Sequence, residues 1–410
     1  MGTRTRTLLR GLQWTMPAAV VSRLFAGFAT LLTARHLGPS EFGRASLVLA
    51  TTFWIQVPLF LGLPTALMRF VPVAKNEDRE KWVTAGLSLL AICGALTLAF
   101  GLGFADFWAR LHGVTKNEFL LGLLWCSAFL FFTTATFLSA AREQFRARAL
   151  LEVLFAILFL AQILGLWFFK SLDAALYIKA MAGAYLLVGI AGVFLQVPRR
   201  FVFDGFSSRA RAFLHFGVIA SGGSVAGALL QSLGRLIANR YLDISQVGLL
   251  SAYQAGSLQM ALYFIGVGLH VFLPVAARTP DRAALFAKLT RVSVLVIVGA
   301  GSLCAAALAA YFLVLGTRYP LGLTNLVVFA LASGFATQHG ILSWFFSSGG
   351  SRGIVAAVIV ALVAGVLNAL LGWLWIPTWG VLGAGAAAGA AYFGGILACY
   401  IPRLKRYGFS

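Results

Sequence analysis

The amino-acid sequence predicts an all-α integral membrane protein of about twelve transmembrane helices, arranged as two six-helix lobes with both termini in the cytoplasm. Three observations lead to this fold class. The 410 residues are 60% hydrophobic and only 11% charged, with a mean hydropathy of +0.90, far above that of a water-soluble domain. The apolar residues form runs that match the roughly 20 residues a helix needs to cross the hydrocarbon core. Lysine and arginine alternate between successive connections, as a positively charged inner face requires.

Taken in order, the apolar runs place spans at 14–34, 45–68, 83–105, 119–140, 150–169, 174–197, 213–237, 247–276, 292–315, 321–347, 354–376 and 380–401. The first run follows Arg4, Arg6 and Arg10 but is too long for the apolar core of a secretory signal, so it is read as a retained span. Of the 32 Lys and Arg residues, 22 fall on the presumed inner side and 8 on the other, while Arg23 and Arg235 lie within spans. A span count wrong by one would scramble that alternation. The connections, none longer than about 16 residues, leave no room for a soluble catalytic domain.

A net charge of +20 would ordinarily suggest nucleic acid, but here the basic residues are interleaved with apolar runs rather than gathered on a solvated face. Nucleic-acid binding is therefore not expected. Cys93, Cys126, Cys304 and Cys399 lie inside apolar runs with no CxxC spacing, and read as small core residues rather than metal ligands.

Shifting the chain by 205 residues lays LLTARHLGPSEFGRASL (Leu31 to Leu47) over LIANRYLDISQVGLLSA (Leu236 to Ala252), with Leu31, Arg35, Leu37, Ser40, Gly43 and Ser46 matched. Phe70, Pro72, Val73 and Ala74 find counterparts in Phe272, Pro274, Val275 and Ala276. The polar matches fall in a connection, where shared apolar composition would not align them. This predicts a parallel internal repeat, with lobes at 1–205 (helices 1–6) and 206–410 (helices 7–12) related by an axis along the membrane normal.

Ionisable groups at bilayer depth are costly unless they face a cavity or a partner, so they are the first functional candidates. Arg23 is central in the first span. At 100° per residue it shares a face with Met16, Ala19, Gly27 and Thr30, opposite Val21, Phe25, Phe28 and Leu32. In the seventh span, Arg235 shares a face with Ser221, Ser224, Ala228 and Gln231. By the repeat, the two arginines lie on equivalent faces two turns apart in depth. That is a stepped cationic lining suited to a diphosphate or an acidic sugar. Arg235 is also close enough to the end of its span to extend toward lipid headgroups instead. Glu152 is the most deeply placed acid and is read either as a coupling group or as the partner of Arg148, one turn earlier. Gln56, Gln254, Gln259, Asn325, Gln338, His339 and Asn368 either line the passage or bond across packed helices. His215 and His270 have no acidic neighbours at ligand spacing. Pro58 and Pro64 are expected to kink the second span, and Gly385 with Gly389 to allow close helix packing.

ARHLGPSEFG at Ala34 to Gly43, GLPTALMRF at Gly62 to Phe70, and the late pattern of Asn368, Ile376, Pro377, Gly380, Gly383 and Ala384 resemble the oligosaccharide flippases. These form the polysaccharide-transporter branch of the multidrug/oligosaccharidyl-lipid/polysaccharide exporter superfamily. The resemblance implies an alternating-access transporter of the bacterial inner membrane. It would carry undecaprenyl-diphosphate-linked sugar units, such as O-antigen or exopolysaccharide repeats, from the cytoplasmic to the periplasmic leaflet. It further implies a cationic cavity, for which Arg23 and Arg69 lie in the right neighbourhoods, and an association with membrane lipids, a polysaccharide polymerase and a chain-length regulator. No cofactor is expected, and the scarcity of acids within spans leaves coupling to H+, Na+ or the membrane potential open. Two competing classes are a multidrug exporter of the same superfamily, which should favour acidic cavity residues, and an in-membrane polymerase or glycosyltransferase. The latter needs a large external loop or clustered carboxylates, and the sequence supplies neither.

Overall fold

The computed structural model describes residues 3–198, 200–263, 265, 276 and 281–402, with side chains from Gln13 onward except at 76–77 and 350–351. Arg199, Arg278, Arg403, Lys405, Arg406, His270 and the repeat matches at Phe272, Pro274 and Val275 lie outside the described residues, as do the side chains of Arg4, Arg6 and Arg10. Among the described residues every regular element is helical.

α1 (Thr3–Phe60) holds the first two predicted spans in one helix broken only at Gly38, where φ is 74° and ψ 175°. Glycine adopts that conformation without the Cβ clash other residues meet. The sequence led us to expect a connection over 35–44. Instead Arg35 to Leu37 prolong the first limb, and Pro39, with its φ already near the helical value, opens the second. The break leaves carbonyls without intrahelical partners, and the Tyr319 hydroxyl donates to the Ala34 carbonyl at 2.9 Å. The second span is interrupted at Leu61 and Gly62, between the two prolines expected to kink it, and resumes as α2 (Leu63–Phe70) with a proline in its first turn.

Spans three to six are α3 (Asn76–Gly103), α5 (Lys116–Ala141), α6 (Phe145–Phe168) and α7 (Ala174–Gln196). Between the first two lies α4 (Ala105–His112), a short amphipathic helix the sequence did not announce, with Phe107 and Leu111 exposed and Ala105, Ala109 and His112 buried. The seventh span is split at Ser232 into α8 (Phe206–Gln231) and α9 (Leu233–Tyr241). α10 (Ile244–Gln254) begins the eighth and passes into a π-turn, Ala255–Gln259. Next come α11 (Arg282–Arg291), α12 (Ser293–Leu315), α13 (Leu323–Ser347) and α14 (Gly350–Ala398), the last broken at Gly380, where the eleventh and twelfth spans were expected to separate. Among the described residues nine helical stretches are long and apolar enough to cross a membrane. The longest, Gln13–Phe60 with 48 residues and Arg352–Ala398 with 47, are each about twice what one crossing needs. The chain is a multi-pass membrane protein.

It divides into two compact units, one of Met1–Thr33 with Thr51–Ser224 and the other of Ala34–Ala50 with Val225–Ser410. These boundaries differ from the repeat halves 1–205 and 206–410, because α1 and α8 each contribute to both units. In the first unit α5 is the central helix, packed against α2, α3, α6 and α7. At one end of it Arg142 donates twice to Glu80 at 2.8 Å and once to the Gln196 carbonyl at 2.6 Å. The segment after α7 is held there by the Lys81–Asp204 pair at 2.7 Å and by Arg209 on Asp78 at 3.0 Å.

In the second unit α13 lies between α12 and α14. A Cβ at Gly385 would come 2.7 Å from the Phe329 ring, and one at Gly389 3.5 Å from Ala332, so the GxxxG pair does permit close packing. Gly43 and Gly248, partners under the 205-residue shift, pack reciprocally. A Cβ on Gly43 would run into the Ile244 carbonyl, and one on Gly248 into the carbonyl of Pro39, itself the repeat partner of Ile244.

Candidate functional site

The first limb of α1 buries a narrow stripe of small and hydroxyl residues, Thr15, Ala18, Ser22, Ala29 and Thr33. Its hydroxyls are bonded within the helix, Ser22 to the Ala19 carbonyl at 3.1 Å and Thr33 to that of Ala29 at 2.9 Å, so the stripe packs without orphaned donors. Arg23 lies one residue off that stripe and is exposed. Gly27, one turn further on, faces open space, and Thr30 is partly buried, its hydroxyl 3.5 Å from that of Tyr177. Val21, read on the opposite face from the charge, is exposed. Phe25, Phe28 and Leu24 are exposed as well, because the buried stripe lies between the two faces rather than on either.

Arg69 ends α2 and is exposed, with its guanidinium 4.7 Å from the centre of the Phe216 ring and 6.0 Å from that of Phe70, a cation–π arrangement. Phe70 in turn stacks on Trp82 at 4.9 Å. Phe216 belongs to α8, whose outer face carries an open groove of about 790 Å³ lined by Phe206, Ser207, Ala210, Arg211, Leu214, His215, Val218 and Ile219. Arg211 and His215, one turn apart and exposed, are its ionisable lining residues. Further along α8, Gly223 has nothing within 4 Å and Ser224 is exposed. Neither Arg211, which reads as part of a connection, nor His215, which has no acidic neighbour at ligand spacing, stands out in the sequence. The signal that could have found them is the spacing of Ser207, Arg211 and His215 along one line of a helix.

Arg235 is placed differently from either sequence reading. Only 4% exposed, it is enclosed by protein. One terminal nitrogen donates to the Ser46 carbonyl at 3.2 Å and the other to that of Gln231 at 2.7 Å. The interruption at Ser232 explains this: a broken helix frees carbonyls that must find donors where there is no water. Ser232 itself donates to Ala228 at 2.7 Å, and Asn368 to Leu229 at 2.8 Å. Of the predicted set, Arg235 and Gln231 meet through a main-chain carbonyl. Arg23, Thr30, Arg69, Ser224, half-buried Gln56 and Glu152 belong to the other unit. Glu152 accepts from Arg148 at 3.0 Å, the ion-pair alternative. Gln338 bonds across helices, donating to Ser293 at 2.6 Å.

The other described acids sit at helix ends. Asp173, Asp243 and Asp281 cap α7, α10 and α11, and Glu118 completes a capping box with Thr115. The hydroxyl of Ser245 and the Gln246 amide hold the Asp243 carboxyl below the usual carboxylate range. Among the described residues no group of three His, Cys, Asp or Glu could hold a metal ion.

A bundle of broken apolar helices with basic groups inside its spans and its acids engaged in caps and ion pairs defines a polytopic helical membrane protein of the transporter type. The comparisons agree. Residues 8–280 match the family described as "Polysaccharide biosynthesis protein", and the chain belongs to that family. The curated succinoglycan biosynthesis transport protein ExoT of Rhizobium meliloti (strain 1021) is 27% identical over 257 residues, 60% of this chain and 49% of that protein, about half its length. Among solved structures, an outward-facing multidrug resistance MATE transporter of the MOP superfamily aligns with a TM-score of 0.67 at 13% identity, covering 100% of this chain and 98% of that one. The lipid II flippase MurJ in an inward closed conformation aligns at 0.60 and 12% identity, covering 93% and 85%. The fold is thus that of the MOP transporters, and the resemblance read from the residues is borne out.

Proposed function

We propose that this protein is a flippase of twelve crossings that moves undecaprenyl-diphosphate-linked oligosaccharide from the cytoplasmic to the periplasmic leaflet of a bacterial inner membrane by alternating access. Membership of the polysaccharide biosynthesis family supports the pathway, and the likeness to MurJ and ExoT supports a lipid-linked or polymeric sugar as cargo. The count of twelve follows if α1 and α14 each cross twice about their glycine breaks and α10 opens a further span. The reciprocal packing of Gly43 and Gly248 supports two repeated lobes with their boundary near residue 205. The single observation that carries the substrate reading is Arg23, a cation exposed in the middle of an apolar span beside the open face of Gly27. Such a group suits a diphosphate, whose charge it can meet in a setting where water screens poorly.

Arg69, Thr30, Gln56 and Ser224 are the companion polar groups on that unit, while Arg235 and Gln231 serve the architecture of the other. No enzymatic role is proposed. A deletion strain should accumulate lipid-linked oligosaccharide in the inner leaflet. Arg23→Ala should reach normal membrane levels yet fail to restore export, and full complementation by that variant would remove Arg23 from the site. The MATE likeness keeps a drug exporter as the second reading, distinguished by drug sensitivity of the deletion strain in the absence of a sugar phenotype.

A further inference from the structure

One side of α8 fixes its rotation. Phe213, fully buried, has its ring 5.5 Å from that of Phe70 and 5.6 Å from that of Trp82, and a Cβ at Gly217 would run into the Leu61 carbonyl. The side turned away from these contacts carries the groove of about 790 Å³, which the transport function proposed above does not use. Its lining changes character along the helix. Ser207 and Arg211 are exposed in the first two turns, and His215 follows one turn after Arg211. Leu214, Val218 and Ile219, at 37%, 59% and 36% exposure, supply the apolar part.

This order follows the bilayer. The sequence places the start of the seventh span at 213, so Ser207 and Arg211 precede the hydrocarbon, whereas Leu214, Val218 and Ile219 are within it. From Phe206 to Ile219 the helix rises about 20 Å at about 1.5 Å per residue. One leaflet of a bilayer about 40–45 Å thick, headgroups included, has the same depth.

The polar part also has an uncompensated charge. Residues 206–241 contain no Asp or Glu. Asp204, just before the helix, is engaged with Lys81 at 2.7 Å, and Arg209 is held by Asp78 at 3.0 Å. No ion pair among the described residues includes Arg211.

We propose that this groove is a binding site for an anionic phospholipid of the leaflet that α8 enters at Phe206. Arg211 receives the phosphate, its planar fork of N–H donors fitting two oxygens at once. His215, one turn deeper, meets the ester level of the lipid, where a ring N–H can donate to a carbonyl. One acyl chain lies along Leu214, Val218 and Ile219. A cation at headgroup depth favours a lipid of net negative charge over a zwitterionic one. The one-leaflet length favours a bilayer phospholipid over an undecaprenyl carrier, whose chain would overrun it. The site is therefore separate from that of the cargo.

The test uses the full chain purified in a neutral detergent and reads bound lipid by native mass spectrometry. Phosphatidylglycerol should bind about fivefold more tightly than phosphatidylcholine with the same acyl chains. Arg211→Gln should remove that preference, and Arg318→Gln, at an exposed arginine of the other unit, should keep it. Leu214→Trp, which fills the apolar part of the groove, should weaken both lipids with Arg211 in place. Equal binding of the two lipids by the wild type, or an undiminished preference in Arg211→Gln, overturns the proposal. Full displacement of phosphatidylglycerol by inorganic phosphate would make the groove a plain anion site, and tighter retention of undecaprenyl diphosphate would make it part of the cargo path. Either result overturns the phospholipid assignment while the flippase reading stands.

Discussion

A guanidinium at bilayer depth needs acceptors, and Arg235 finds them in the carbonyls of Ser46 and Gln231. Leaving the Gln231 carbonyl, at the break in the helix, without its donor costs about 1–3 kcal/mol. Arg235→Ala should therefore lower the thermal stability of the detergent-solubilised protein, whereas Arg23→Ala, at an exposed position, should leave it unchanged; a melting curve by intrinsic fluorescence separates the two. Asp204 allows a second prediction. Its hydrogen bond and charge interaction with Lys81 hold its carboxyl below the usual carboxylate range. A depressed value in the fold means the clamp on the segment after α7 is complete above the ordinary carboxylate range and is lost as the pH falls through the depressed value. Cleavage around 200–205 by an acid-tolerant protease should rise in that acid window, and Asp204→Asn should show the raised cleavage already at neutral pH. Neither partner of Arg235 was legible in the sequence, since both are main-chain atoms supplied by the fold. Arg23 was legible, being a lone charge in an apolar run.

Elements were easier to read than their ends. Long apolar runs fixed where helices lie, because length and hydropathy alone decide whether a segment crosses lipid. The form of some interruptions differs from the sequence reading, for different reasons. ARHLGPSEFG looks like a loop by composition, yet only Gly38 leaves the helix, because Tyr319 caps the carbonyl of Ala34 and Gly43 packs on Gly248. Ser232 carries no breaker residue at all, and the π-turn at Ala255–Gln259 follows no local pattern; both depend on tertiary partners. The glycine contact gives a test at this scale. A methyl at Gly43 or Gly248 meets backbone rather than a side chain that could move, so Gly43→Ala and Gly248→Ala should each cost about 1–3 kcal/mol. Gly27→Ala, with nothing within 4 Å, should be neutral by the same melting measurement.

For the whole molecule, the distribution of Lys and Arg predicts the topology. Reporter fusions after the last span should give an active cytoplasmic fluorophore and an inactive alkaline phosphatase. Cysteines placed at Lys116 or Arg318 should react with an impermeant maleimide from the outside, while one at Arg200 should not. An outside-reactive 200 would reverse the orientation and the direction of transport with it. The family was legible from motifs spread along the chain. The repeat predicts lobes at 1–205 and 206–410, whereas the compact units are cut elsewhere because α1 and α8 each serve both.

The single-residue joint at Gly38 has a bearing on how the protein is made. With 58 residues at 1.5 Å each, α1 would extend about 87 Å if straight, nearly three hydrocarbon thicknesses. Its limbs have almost no slack between them, so the ribosome cannot deliver the first to lipid and let it drift before the second emerges. The pair is expected to enter the bilayer together, as one unit. Lengthening that joint with flexible residues should disturb insertion before it disturbs transport.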